Sequence, residues 1–340
     1  MSRLSILLLF GGESSEHDVS VMSASNVYAA MNNEKYDVRL GYIDRTGKWW
    51  LLENWPTNLQ MHGGVQLAPV PGARGFLTIP GNRPIHVDML FPVLHGENGH
   101  EDGAVQGLAN LAHIPVIGSG LGASAVCWDK LYTKQLLAQN GIPIVPYHVH
   151  RVGESLPVYN DIVSQLGSPL FVKPTVAGSS IGVSKVHNKD EFIPAIEEAA
   201  RHAPIVLIEK AIVGRELEVA VLGNPPRHQE SGVGEIIPGE EFYSYEDKYA
   251  STSKAQVITH ADISDEMRTE IQQAAHKSYQ LLGCRGLARV DFFADDSGIY
   301  LNEFNTLPGF TNISQYPKLW QAQGVSYSSL IDRLIELAQK

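Results

Sequence analysis

The stretch from Leu4 to Phe10 is apolar except for Ser5, and it runs directly into Gly11-Gly12 and then the helical pattern of Val19 to Met31. A strand of that composition has little polar face, so both its sides must be covered. A glycine turn leading into a helix is how a parallel, doubly covered sheet begins. Val38 to Ile43 and Val87 to Leu94 supply two further strands for the same sheet. The opening run is too short for a signal sequence or a membrane span and reads as a buried strand. GxGxxG is absent, so a dinucleotide-binding fold is not supported. Ser14, Ser15, Glu16 and Asp18 stand where the helix begins. Serines there suit N-caps and acids suit the helix dipole, so Glu16 reads either as a cap or as a ligand contact, because ligands bind at such glycine turns.

A chain of 340 residues predicts two or three domains. With 26 basic and 37 acidic residues the formal net charge is -11, which argues against a nucleic-acid or anionic-membrane surface while leaving room for a local basic phosphate pocket. Cys127 and Cys284 form no CxxC and no framework of pairs, which suits a reducing cytoplasm.

The third strand leads into a turn-rich loop, His95-Gly96-Glu97-Asn98-Gly99-His100-Glu101-Asp102-Gly103. His95 is there either a ligand contact or a satisfied turn residue, and no zinc-like spacing links it to His100. From Ala123 the pattern turns helical and stops at Gly141-Ile142-Pro143, which marks a first domain boundary. Leu170 to Pro174 and Ile181 to Val186 read as strands around the small-residue turn Ala177 to Ser180. Backbone N–H groups of such a turn can cover phosphates, with Lys173 to neutralise them, although this is no Walker A loop. Val206 to Lys210 is a strand whose end could offer backbone edges to an adenine, and Glu216 in the next strand could hold a ribose. Residues Glu241 to Ser253 form a polar, tyrosine-rich loop, read either as a closing flap or as an ordinary surface loop.

Ala288 to Gly309 reads as a hairpin. A three-residue loop at Asp296-Ser297-Gly298 would centre the pairing on Ser297, setting Asp291 opposite Glu303 and Arg289 opposite Asn305, all on one face. Val290, Phe292, Tyr300 and Phe304 then take the other. Facing carboxylates repel, so something positive should lie between them. The all-oxygen set Asp291, Glu303 and Asn305 suits Mg²⁺, while the plainer alternative is a solvated face on which Arg289 pairs one acid.

These motifs, in this order, resemble the D-alanine–D-alanine ligases of the ATP-grasp family over nearly the whole chain. The carrying stretches are LFGGESSEHDVS at 9–20, HGENGHEDGAVQG at 95–107, SAVCWDKLYTK at 124–134, FVKPTVAGSSIGVSKV at 171–186, IEKAIVGRELEVAVLG at 208–223, FYSYEDKY at 242–249, and GLARVDFF with LNEFNTLPGFTNIS. The resemblance implies an α/β chain with an ATP-grasp fold preceded by an N-terminal parallel-sheet domain. Its units would be an N-terminal substrate domain at 1–123, a central ATP-grasp subdomain at 124–222, and a C-terminal subdomain with the metal site at 223–340. The implied reaction is ATP-dependent ligation of two D-alanines through a D-alanyl phosphate, for peptidoglycan precursor synthesis.

By the same resemblance Lys130, Lys173, Ser180, Glu209, Lys210, Ile212 and Glu216 would bind ATP, and Asp291, Glu303 and Asn305 would hold two Mg²⁺ ions, with Mn²⁺ as a substitute. Glu16 would take the ammonium of the first D-alanine, linked to Ser179 and Tyr249, and Arg289 would stabilise the oxyanion. His95, Lys248, Gly309, Ser314 and Gln315 complete the implied substrate site, and Lys248-Tyr249 implies D-alanine rather than D-lactate as acceptor. A cytoplasmic homodimer without nucleic-acid or membrane partners is implied as well. The chain departs from the family pattern at His100, at Val176-Ala177 and at Gln315. A polar amide at Gln315, near the acceptor's methyl group, could admit a hydroxymethyl group, so a D-alanine–D-serine ligase or another carboxylate–amine ligase of this fold is the nearest alternative. A nucleotide-binding regulatory protein that has lost turnover would show gaps in the lysine or acid set, and none is present.

Overall fold

The computed structural model describes residues 3–56, 58–59, 63–239, 255–311 and 313–339. Its first unit is built on β1 (Leu4–Gly11), which lies parallel to both β2 (Tyr36–Ile43) and β7 (Met89–Pro92). α1 (His17–Ala30) makes the first crossover. Gly11 closes β1 at φ +94, and a Cβ on it would meet the Ile43 carbonyl at 2.2 Å, so only glycine lets these strands close on each other there. The sheet also has a part that sequence patterning did not anticipate. β3 (Trp49–Leu52), β4 (Val65–Val70), β5 (Gly75–Ile79) and β6 (Pro84–His86) extend the β2 edge as an antiparallel meander. These strands are short and separated by turns, which leaves little periodicity to read. After β7 come α2 (Ala104–Ala112), α3 (Leu121–Trp128) and α4 (Lys130–Gln139).

The second sheet is antiparallel, in the order β10 (Ser184–Val186), β9 (Leu170–Pro174), β11 (Ile205–Lys210), β8 (Tyr147–Arg151), and is covered by α5 (Tyr159–Leu166) and α6 (Lys189–Ala200). It has its own core of Leu170, Val172, Phe192, Ile196, Val206 and Ile208. The third sheet runs β14 (Gln256–Ile258), β13 (Gln229–Ile237), β12 (Arg215–Leu222), β15 (Leu287–Asp295), β16 (Gly298–Asn305), with α7 (Asp265–Leu281) packed on it. α8 (Gln315–Ala322) and α9 (Tyr327–Ala338) end the chain.

A boundary after residue 222 would separate β12 from its partners β13 and β15. Grouping the chain by sheets, which is our proposal, puts β12 with the third unit and leaves β8 to β11 as the central one. Residues Ala123 and Cys127 of α3 and Leu137 of α4 belong to the third sheet's core. The first and third units are themselves joined. Ile6, Leu8 and Phe10 of β1 share one core with Leu222, Leu287, Trp320, Leu330 and Leu334.

His100, one of the departures from the family pattern, is buried at 1% exposure, and its ring fits because Gly118 has no Cβ; one placed there would meet the ring at 2.4 Å. Burial pushes its pKa down to about 4. The unfolded chain therefore takes up a proton near pH 6.5 that the folded chain refuses. Stability is unaffected above that value and declines as the pH falls towards 4, by about 3 kcal/mol. His100→Gln should remove this part of the acid sensitivity. Urea melts at about pH 5 and pH 7.5 measure it, and an unchanged wild-type pH slope in the variant would refute the assignment.

Candidate active site

The base of the site is the β15–β16 hairpin. Asp291 pairs with Glu303 and Arg289 with Asn305, the expected register, but the turn that leads there differs. Asp295 pairs with Gly298, so the loop holds two residues, and a shift between Asp291 and Phe292 leaves Asn302 as the extra residue of a bulge. Between the turn and the bulge the β16 side chains are therefore on the opposite face from that expected, whereas Phe292 on β15 keeps its face beside Val290. Ile299 and Leu301 enter the core, and Tyr300, placed there by sequence reasoning, is only half-buried.

Each of the two facing acids has its own positive partner, and Arg289 pairs one of them as in the plainer alternative. The Arg289 guanidinium donates twice to the Asp291 carboxylate, at 2.7 Å and 2.7 Å, and lies 3.2 Å from Glu218. Lys130 Nζ is 3.2 Å from Glu303 and donates to the Ala177 carbonyl at 2.7 Å. Burial opposes the charge on Arg289, but Asp291 and Glu218 more than compensate and hold its pKa well above the ordinary value. Glu218 was not anticipated. Its signal was available: a carboxylate two residues after Glu216 in an otherwise apolar strand. Asn302 was also missed, and its side chain accepts from Lys173 at 3.3 Å.

Two cavities meet along this hairpin. One, of about 420 Å³, lies between the second and third sheets and is lined by Lys130, Lys173, Ser180, Glu209, Lys210, Ile212, Glu216, Asp291 and Glu303. It thus gathers every residue expected to bind ATP. The other, of about 500 Å³, is lined by Glu16, His95, Ser179, Asn305, Gly309, Ser314 and Gln315. Arg289, Glu303 and Glu218 line both. Lys248 and Tyr249 lie outside the described residues.

Glu16 occupies the N-cap position of α1, yet its carboxylate makes no capping bond. It accepts instead from the Ser179 hydroxyl, on the turn between β9 and β10, so the capping reading gives way to a contact between the first and second units. Ser179 and Ser180 sit in left-handed backbone at φ +49 and +61, and a Cβ on Gly178 would lie 2.6 Å from the Glu16 carboxylate. Ser14, expected as a cap, donates to the His95 carbonyl at 2.7 Å. His95 is held at Nδ1 by Glu101, 3.2 Å away, and at Nε2 by Ser23, also at 3.2 Å. Burial, the largest single influence, disfavours its charged form, but the Glu101 hydrogen bond together with the charges of Glu101 and Glu16 outweighs it and raises its pKa. The Ser314 hydroxyl lies 2.8 Å from that of Thr311, and Gly309 packs so closely that a Cβ would come within 2.7 Å of it. Gln315 is buried at 4% exposure. Its Nε2 donates to the Ile258 carbonyl at 2.8 Å, and its Oε1 has no hydrogen-bond partner among the described residues.

Away from these cavities, His228, Glu230 and His276 bring potential ligand atoms within 4.8 Å of one another. The two imidazoles stack at 4.0 Å and 23°. Their lone pairs then lie in nearly parallel planes and do not converge on one ion, so the cluster reads as a hydrogen bond between His276 Nδ1 and Glu230, 2.7 Å long.

The model of the D-ala D-ala ligase N-terminus matches residues 5–119, and that of the D-ala D-ala ligase C-terminus matches 136–336. The chain is 45% identical to D-alanine–D-alanine ligase A of Chromobacterium violaceum, over 99% of this chain and 96% of the relative. It is 42% identical to the Escherichia coli K12 enzyme of the same name, with the same coverage of both chains. Among solved structures, the D-alanine–D-alanine ligase of Coxiella burnetii superposes with a TM-score of 0.89 at 35% identity, covering 99% of this chain and 94% of that one. The VanG D-Ala:D-Ser ligase of Enterococcus faecalis also gives 0.89, at 37% identity, covering 99% of this chain and 100% of that one.

Proposed function

The chain belongs to the D-alanine–D-alanine ligase family, and from that premise we propose that it joins two D-alanines at the expense of ATP, making D-alanyl-D-alanine for peptidoglycan precursors. The observation that carries the reading is the meeting, at Arg289 and Glu303, of a lysine-lined cleft and a second cavity roomy enough for two small amino acids. Lys130 and Lys173 neutralise the phosphates of ATP, and Ile212 and Glu216 lie where the base and sugar would extend. Glu16, in the second cavity, receives the ammonium of the first D-alanine and directs its carboxylate towards the shared wall. A carboxylate oxygen attacks the γ-phosphorus, the bond to ADP breaks, and an acyl phosphate forms.

The amine of the second D-alanine, whose carboxylate is bound at Ser314, then attacks the acyl carbon. Negative charge develops on the carbonyl oxygen as the tetrahedral intermediate forms, and Arg289 stands on that wall to meet it. Phosphate leaves and the peptide bond remains. Water would hydrolyse the acyl phosphate, which gives the Ser179 turn, bridged to Glu16, a reason to close. Asp291, Glu303 and Asn305 fit a hard cation: the donors are all oxygen, they stand at paired positions, and their charge is balanced here by Arg289 and Lys130. Two Mg²⁺ ions there, or Mn²⁺, would neutralise charge on the transferred phosphoryl group. The family resemblance is also the ground for proposing a cytoplasmic homodimer. No helix among the described residues is long and apolar enough to cross a membrane.

Gln315 favours a second reading, because it lines the acceptor cavity and its buried amide oxygen, which has no hydrogen-bond partner among the described residues, could accept from the hydroxyl of D-serine once the amide turns towards the cavity. The test is ADP release with D-alanine alone, then with D-serine or D-lactate in competition, with products identified by mass spectrometry. D-Ala–D-Ala should dominate. A dominant D-Ala–D-Ser product would transfer the conclusion to the second reading, and no ADP release with any D-amino acid would reject both.

A further inference from the structure

Lys134 lies one turn after Lys130 on α4 and is 1% exposed. Its Nζ is 2.9 Å from Glu209 Oε1, and Lys173 Nζ is 2.8 Å from Glu209 Oε2. One buried carboxylate is thus divided between two ammonium groups, one on each oxygen. The two cations do not face the same space. Lys173 and Glu209 line the cleft, whereas Lys134 is behind that wall, with the Tyr147 ring of β8 5.8 Å from its Nζ. The Lys134–Glu209 contact is a close ion pair, and an arginine at this position would restore its charge.

We propose that Lys134 is a positioning residue for the nucleotide: it neutralises Glu209 from behind, so that Lys173 presents its charge to the phosphates instead of spending it on the wall. The inference rests on the reading of this cleft as the ATP site. The charge count carries it. With Lys134 charged, the triad holds a net +1 at the cleft; with Lys134 neutral or absent, Glu209 and Lys173 cancel. Removing one charge several ångströms from a polyphosphate in a partly buried site weakens binding about tenfold.

The charge of Lys134 is itself variable. Burial lowers its pKa to about 8; Glu209 opposes that shift, and Lys173 and Lys130 add to it. Lys134 is protonated below that value and neutral above it, so nucleotide affinity is present at neutral pH and lost as the pH rises through about 8.

The test is calorimetric binding of ADP with Mg²⁺, without D-alanine, from about pH 6.5 to 9.5, on the wild type, Lys134→Arg and Lys134→Met. The wild type should weaken about tenfold with a midpoint near 8. Lys134→Met should be weak throughout with no such step, and Lys134→Arg should bind tightly throughout. Thermal melts confirm that each variant is folded. Lys134→Met binding within twofold of the wild type, or retaining the step, overturns the positioning role alone. A folded wild type that does not bind ADP at pH 7 overturns the nucleotide cleft itself.

Discussion

Arg289→Met is expected to lower kcat by about 10²- to 10³-fold, the usual cost of removing a donor aimed at a developing oxyanion. KM for ATP should change far less, since Lys130 and Lys173 remain. The guanidinium contacts both Asp291 and Glu218, so its loss also removes a positive charge from beside two carboxylates. Their side chains are only 15% and 7% exposed, and the fold should lose on the order of 2 to 3 kcal/mol. Arg289→Lys separates the two effects. It returns the charge without the planar two-point contact, so stability should recover more fully than turnover. Steady-state kinetics on folded protein, paired with thermal melts, measures both. A methionine variant that stays within tenfold of the wild-type kcat would rule out the oxyanion role.

Glu303→Gln is expected to abolish most turnover at limiting Mg²⁺, by about a hundredfold or more, with partial recovery as the metal is raised. The amide keeps the shape of the side chain and one oxygen but loses the charge that a hard cation requires. Lys130 loses its ion pair at the same time, so the two contributions should be compared with Lys130→Met, whose deficit should not respond to Mg²⁺. Titrating Mg²⁺ against initial rate at saturating ATP makes the distinction. Near-normal activity of Glu303→Gln at limiting metal would remove Glu303 from the metal set.

Local patterning carried much of the site. The Asp291–Glu303 pairing was legible because alternation and a turn determine register, and it survived a wrong loop length because the bulge at Asn302 restored the count. Tyr300 did not survive, since it lies between the turn and the bulge. Glu16 read equally well as a cap because its partner, Ser179, is 163 residues away. Lys134 was legible only as a helical lysine, and Glu209, which the resemblance set among the ATP-binding residues, showed by itself only as a strand-end acid; burial and mutual contact belong to the tertiary structure. Our proposed regrouping of the units by sheets differs from the expected boundary after residue 222 for a related reason. A strand carries its own hydrophobic pattern but not the identity of its neighbours, and β12 pairs forward with β13 and β15 rather than back with β11.

The core shared by β1 and the last helices sets a schedule for making this protein. Ile6, Leu8 and Phe10 pack with Leu330, Leu334 and Ile335, and Tyr36 donates to Asp332 at 2.8 Å. Residues near position 10 therefore rest against residues made about 320 positions later. At roughly 5–20 residues per second, the apolar face of the first strand waits roughly 15 to 65 s on the ribosome for its cover. The central unit, with a core of its own, needs no such partner. A chain released before about residue 330 would leave β1 bare on that face, the kind of surface that chaperones bind.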